Sequence, residues 1–155
     1  MSSGSWTLDT AAASIRVLLV DDHDLVRTAV ERLLRTLPGI QVVASAGGGR
    51  EALFLIPQAR PDVILMDLSM PGLDGIQATR TIRLAFPETP VIALTAYAEP
   101  EWVAAALAAG VRGYLVKGGD ADELLEAVRA VAEGGRWLSA RAELALRAIH
   151  PDAGA

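Results

Sequence analysis

The six residues Asp62 to Asp67, DVILMD, are apolar through the middle, show no alternation of apolar and polar side chains, and end on a carboxylate. Alternation marks a strand with one wet face, whereas a continuous run marks a strand covered on both faces. Four more runs of this kind flank it: IRVLLV (Ile15 to Val20), IQVVASA (Ile40 to Ala46), PVIALT (Pro90 to Thr95) and GYLVK (Gly113 to Lys117). Between the runs apolar residues recur at helical spacing, as Leu25, Ala29, Leu33 and Leu37 do in the first interval and Leu124, Val128 and Val131 after the last run. Stop signals close these segments at Pro38-Gly39, Pro87, Gly110 and Gly134-Gly135. Parallel strands require helical crossovers of one hand, so the alternation predicts a doubly wound α/β domain. Its sheet is expected to hold five parallel strands in the order 2-1-3-4-5, with five flanking helices.

Composition bounds what such a domain can do. The 155 residues, 52% hydrophobic and 21% charged, suit one globular domain with short tails. Residues 1–14 (MSSGSWTLDTAAAS) read as a flexible leader, 15–138 as the domain, and 139–155 as a linker or the start of a further helix. With 14 Lys+Arg against 19 Asp+Glu the net charge is -5, which disfavours nucleic acid or an anionic membrane as a partner held by charge alone. The absence of cysteine excludes a disulfide framework and a thiolate metal site, and fits a cytoplasmic protein. The longest strongly apolar stretches, such as Val103 to Val111, fall short of the roughly 18–20 residues that span a bilayer. Lys117 is the single lysine among fourteen basic residues, the rest being arginine.

Ligands of open α/β sheets bind at the carboxyl ends of the strands, beside a switch point in strand order. The residues delivered there are Asp21 and Asp22, Asp67, Thr95 and Lys117. Singly these are ordinary: an aspartate after a strand usually caps a helix, as expected of Asp24, and a threonine there is a common strand residue. Together they place three carboxylates, a hydroxyl and the lone lysine on one edge. Crowded carboxylates need cations, and Lys117 with a divalent hard ion such as Mg²⁺ would balance them. Such a site suits a phosphoryl group, which needs an in-line nucleophile and neutralised oxygens more than acid-base groups. Asp67, central in the sheet, would be that nucleophile.

The acidic pair in LLVDDHDLVR, Asp67 in ILMDLSMPGLDGI, Thr95 in LTAY and Lys117 in GYLVK resemble, in order and spacing, the receiver domain of a two-component response regulator, a flavodoxin-like fold. The D-D-H opening and the GYLVK run followed by Asp120, Asp122 and Glu123 resemble the NarL/FixJ-type subfamily, whose members carry a LuxR-type output. The resemblance implies that Asp67 accepts a phosphoryl group from a sensor histidine kinase. It implies Mg²⁺ on Asp22, Asp67 and the backbone carbonyl of Ser69, with Asp21 acting through water. Lys117 would hold the aspartate and then a phosphoryl oxygen; Thr95 would bond another, with Tyr114 repacking as its switch partner. The responding face would be that of helix four, strand five and helix five, with homodimerisation on phosphorylation. Met70-Pro71-Gly72 and Asp74-Gly75 would form the turn beside the ion.

Two positions depart from the family pattern. Lys117 is followed by Gly118 rather than proline, which would loosen the lysine's loop, and Gly47-Gly48-Gly49 leaves helix two without a capping side chain. His23 is expected as an exposed first-turn residue, and Tyr97 as a neighbour of the site entrance. An Asp-nucleophile phosphatase of the haloacid-dehalogenase type would need an aspartate where Ser69 stands, and a cobalamin module a glycine where Val26 stands. A stand-alone receiver acting through protein contact is the other alternative. DNA binding would belong to an output domain of roughly 60 or more residues, absent from this chain.

Overall fold

The computed structural model describes residues 14–68, 70 and 74–149. Among them the chain alternates β1 (Ile15–Val20), α1 (Asp24–Thr36), β2 (Ile40–Ala46), α2 (Gly49–Ala59), β3 (Val63–Met66), α3 (Gly75–Ala85), β4 (Val91–Thr95), α4 (Pro100–Ala109), β5 (Gly113–Val116), α5 (Ala121–Ala132), β6 (Trp137–Leu138) and α6 (Ala140–Ile149). All neighbouring strands pair in parallel, in the order β2-β1-β3-β4-β5-β6. The expected order of five is present, and the count of five strands and five helices is corrected to six and six. The added strand, Trp137 and Leu138, lies at the end of the expected domain and extends the sheet beside β5. The added helix, Ala140 to Ile149, falls in the stretch expected as a linker or the start of a further helix and turns back onto the domain.

Burial follows strand position. β3 and β4 are wholly buried, because neighbours pair on both edges and helices cover both faces, whereas β2 at the sheet edge is mostly half-buried. Two cores result. One lies under α2, α3, α4 and α6 and holds Ile56, Ile82, Val103, Tyr114 and Ala142. The other lies under α1 and α5 and holds Leu34, Leu65, Leu124 and Val128.

Local chemistry sets the helix limits. Asp120 caps α5 by accepting from Asp122 N, acids occupy its first turn and Arg129 its last, matching the helix dipole. Asp74 caps α3 through Gln77 N. α2 starts at Gly48 without a side-chain cap, as expected, though Glu51 Oε1 accepts from Gly47 N at 2.7 Å. The other end of α2 is tied down by Arg16, whose guanidinium donates to the carbonyls of Ala59 and Arg60. Asp24 is not the cap of α1: His23 occupies that position, and Asp24 is the first helical residue, paired with Arg27.

The buried stripe of α1 also differs from the expected one. Leu25 is 87% exposed and Ala29 is exposed, while Leu34 is buried and Val30, Leu33 and Leu37 pack around it. A ladder of every fourth residue drifts about 40° per step round a helix of 3.6 residues per turn, so Leu25 and Leu37 cannot both face the core. The first turns of α1 border an apolar groove of about 280 Å³ against α5.

Candidate functional site

The carboxyl ends of β1, β3, β4 and β5 bring the expected residues together. Asp21 follows β1 directly, and its backbone N–H bonds Ala46 of β2; Asp67 follows β3, with its N–H bonded to Val20 of β1. Both are 2% exposed, Thr95 at the end of β4 is fully buried, and Lys117 follows β5 with its N–H bonded to the carbonyl of Thr95. Each anchor is a backbone bond between neighbouring strands, so the pairing that builds the sheet also assembles the site.

The lone lysine bridges two carboxylates, with Nζ 2.7 Å from Asp21 Oδ2 and 3.5 Å from Asp67 Oδ2. The loop that follows it turns at Gly118, which takes φ +83°, a left-handed conformation that glycine accepts readily. Asp21 is held further by the N–H of His23, which donates to its Oδ1, and its carbonyl receives the Arg27 guanidinium. Sequence reading did not assign Arg27 to the site; no local pattern distinguishes it from other helix arginines.

One oxygen or nitrogen atom each from Asp21, Asp22, His23 and Asp67 lies within 4.8 Å of the others. His23 is exposed as expected, yet its Nδ1 is 3.3 Å from Asp22 Oδ1. Three carboxylates face one ammonium, and Asp22 Oδ1 is buried without a hydrogen bond from any described residue. An oxygen-rich donor set with net negative charge and an unsatisfied buried acceptor fits a hard divalent cation. Asp21, Asp22 and Asp67 each offer a carboxylate oxygen that could hold such an ion. Ser69, Pro71 and Gly72 lie outside the described residues, so the carbonyl ligand and part of the expected turn are not placed.

The remaining glycine of that turn has a definite task. A Cβ on Gly75 would stand 2.2 Å from the carbonyl oxygen of Asp67 and 2.4 Å from the Leu68 Cα. α3 therefore begins against the backbone that carries Asp67, with Gly75 N bonded to Leu68 O.

Thr95 and Tyr114 are connected through Tyr97. Tyr97 N donates to Thr95 Oγ1 at 3.4 Å, and the Tyr114 hydroxyl donates to the Tyr97 carbonyl. Tyr114 is fully buried, and burial together with the nearby Glu99 carboxylate pushes its hydroxyl up to about 12, so it remains a donor at neutral pH. Tyr97 stacks on Trp102 with ring centroids 5.1 Å apart. The face expected to respond is partly covered, because α6 packs on α4 and β5.

No helix among the described residues is long and apolar enough to cross a membrane. Comparison with known proteins places this geometry. Over 139 residues the chain is 42% identical to the response regulator GacA of Pseudomonas viridiflava, covering 88% of this chain and 65% of that protein. It thus spans just under two thirds of that relative's length. A LuxR-family two-component response regulator from Aurantimonas superposes with a TM-score of 0.84 at 34% identity, covering 90% of this chain and 99% of that one. An RcsB structure, described as two dimers bound to two parallel DNAs, superposes with a TM-score of 0.79 at 26% identity, covering 86% of this chain and 68% of that one. The profile of the response regulator receiver domain matches residues 17–129, and the chain belongs to that family, with relatives of the NarL/FixJ type.

Proposed function

We propose that this domain is a phosphoacceptor switch in which Asp67 takes a phosphoryl group from a phosphohistidine of a sensor kinase. The observation carrying the reading is the buried Asp67 carboxylate beside Lys117 Nζ, at 3.5 Å, within a cluster of acids. An Asp67 oxygen attacks phosphorus, the phosphorus–nitrogen bond of phosphohistidine breaks, and the imidazole nitrogen takes a proton from solvent. Lys117 leaves its bond with Asp21 to follow a phosphoryl oxygen, for which a compact ammonium is better suited than a planar guanidinium. Thr95 donates its hydroxyl to another oxygen. Asp22 and Asp67 with the Ser69 carbonyl would hold Mg²⁺, and Asp21 would act through water. When bound, Mg²⁺ neutralises charge on the transferring group. The chain is a switch rather than an enzyme with an external substrate, its chemistry being its own phosphorylation and slow hydrolysis.

One RcsB structure is described with DNA, in a longer chain than the matched portion. Transcriptional output in the whole protein, through a DNA-binding domain outside residues 1–155, is the reading that this likeness supports. Cytoplasmic location follows from the same reading.

The test is direct. Incubation with acetyl phosphate and Mg²⁺ is expected to add one phosphoryl group by intact-mass measurement, with no addition in Asp67→Asn or in EDTA. Equal labelling of wild type and Asp67→Asn would remove Asp67 as the nucleophile.

A further inference from the structure

A continuous seam runs from the phosphoryl edge of the sheet to the first turn of α6. Thr95 Oγ1 accepts from Tyr97 N, and the Tyr97 carbonyl accepts from the Tyr114 hydroxyl. The Tyr114 carbonyl accepts from Ser139 N at 2.9 Å. Ser139 Oγ then accepts from Ala142 N at 3.2 Å, an N-cap arrangement, and its carbonyl accepts from Glu143 N. Thr95 and Tyr114 are fully buried and Ser139 is 5% exposed, so water competes little for these bonds.

The seat of α6 is built on the same residues. Ala142 and Ala145 enter the core that holds Tyr114, Val103 and Ala106. Alanine lets the helix approach α4 closely, but it buries little apolar area per residue. The outward side carries Glu143, Leu144 and Arg147, all exposed. A ten-residue helix is marginal on its own, so its order depends on the seat. Moving Tyr114 therefore changes both the support under α6 and the carbonyl that anchors its cap.

We propose that α6 is an internal cover on the α4–β5 face, docked in the unphosphorylated chain and loosened when Thr95 engages a phosphoryl oxygen. The inference rests on the phosphoacceptor reading of Asp67. Thr95 turning toward the phosphoryl group draws the Tyr97 backbone with it. The Tyr114 hydroxyl loses its acceptor, its ring shifts within the core, and the Ala142–Ala145 contact opens. Occupancy of the α4–β5 surface is then set by the chain's own residues 140–149.

Hydrogen exchange of the whole chain, with and without Mg²⁺ and beryllofluoride as an acyl-phosphate mimic, tests this. Two changes are expected together: slower exchange in the segments around Asp67 and Thr95, and exchange about tenfold faster in the α6 amides. In Tyr114→Phe, which keeps the ring and removes the hydroxyl, the change around Asp67 is expected to remain while the α6 change falls at least severalfold. Protection around Asp67 with unchanged α6 exchange would overturn the cover and leave the phosphoacceptor reading standing. An equal α6 response in Tyr114→Phe would overturn the seam. No response at Asp67 or α6 would remove the phosphoacceptor reading and this inference with it.

Discussion

Lys117 Nζ stands closer to Asp21 than to Asp67, at 2.7 Å against 3.5 Å, so the single lysine is anchored on Asp21 while remaining within reach of Asp67. A charge that must first hold one carboxylate and then track a phosphoryl oxygen needs a flexible stem and a compact head. Lys117→Arg keeps the charge but presents a rigid fork at a site whose acceptors are already placed. Labelling of Asp67 by acetyl phosphate is expected to slow by about tenfold, near 1.4 kcal/mol in barrier. An unchanged rate would show that any cation suffices there.

Asp22 offers the clearest test of the cation site, since its buried Oδ1 accepts no hydrogen bond from a described residue. Mg²⁺ is expected to stabilise wild type by about 2–3 kcal/mol near a hundredfold excess over its Kd. Asp22→Asn removes one charge from the cluster, so its metal-free form is expected to be no less stable than wild type and to gain little from Mg²⁺. Thermal denaturation with and without the ion measures both quantities; an equal gain in the variant would place the ion elsewhere.

Gly75 is a packing requirement of the backbone at Asp67 and Leu68. A methyl group there would meet backbone atoms at 2.2 and 2.4 Å, and neither can swing aside like a side-chain terminus. Gly75→Ala is expected to cost about 2–3 kcal/mol in urea unfolding, in the range of overpacking, and to slow Asp67 labelling as the loop shifts. A loss under about 0.5 kcal/mol would mean that α3 can retreat freely.

The Tyr114 hydroxyl provides a pH signature. Its value in the folded chain, about 12, lies above the ordinary 10.0, so the folded state retains a proton that the unfolded state releases between these limits. Stability from this group is fully present below pH 10 and is lost as pH rises toward 12. Denaturant titrations are expected to show wild type losing of order 2 kcal/mol more than Tyr114→Phe across that window. Parallel curves for the two proteins would show that the buried hydroxyl does not set this loss.

Most of the site was legible because its logic is local. Asp21, Asp67, Thr95 and Lys117 each stand at the end of an apolar run, and strand pairing carries those ends to one edge. Features that depend on a neighbour across the fold were not legible. The i, i+4 ladder from Leu25 to Leu37 did not say which side of α1 meets the sheet, and burial selected Leu34 with Val30, Leu33 and Leu37. Gly75 read as a turn glycine, but the close approach of α3 to Asp67 and Leu68 gives it a packing reason. Trp137 and Leu138 are too short a run to announce a strand, and they become one because β5 offers an open edge.

The sequence by itself determined the alternation of the first five strands with helices, the acids at the strand ends and the lone lysine, because apolar patterning and strand-end chemistry repeat within short windows. Only the tertiary structure decided that residues 140–149 fold back on α4 and β5, and that Thr95, Tyr97, Tyr114 and Ser139 form one seam. Those contacts join residues distant along the chain, and their strength comes from burial, which exists only after the core has closed.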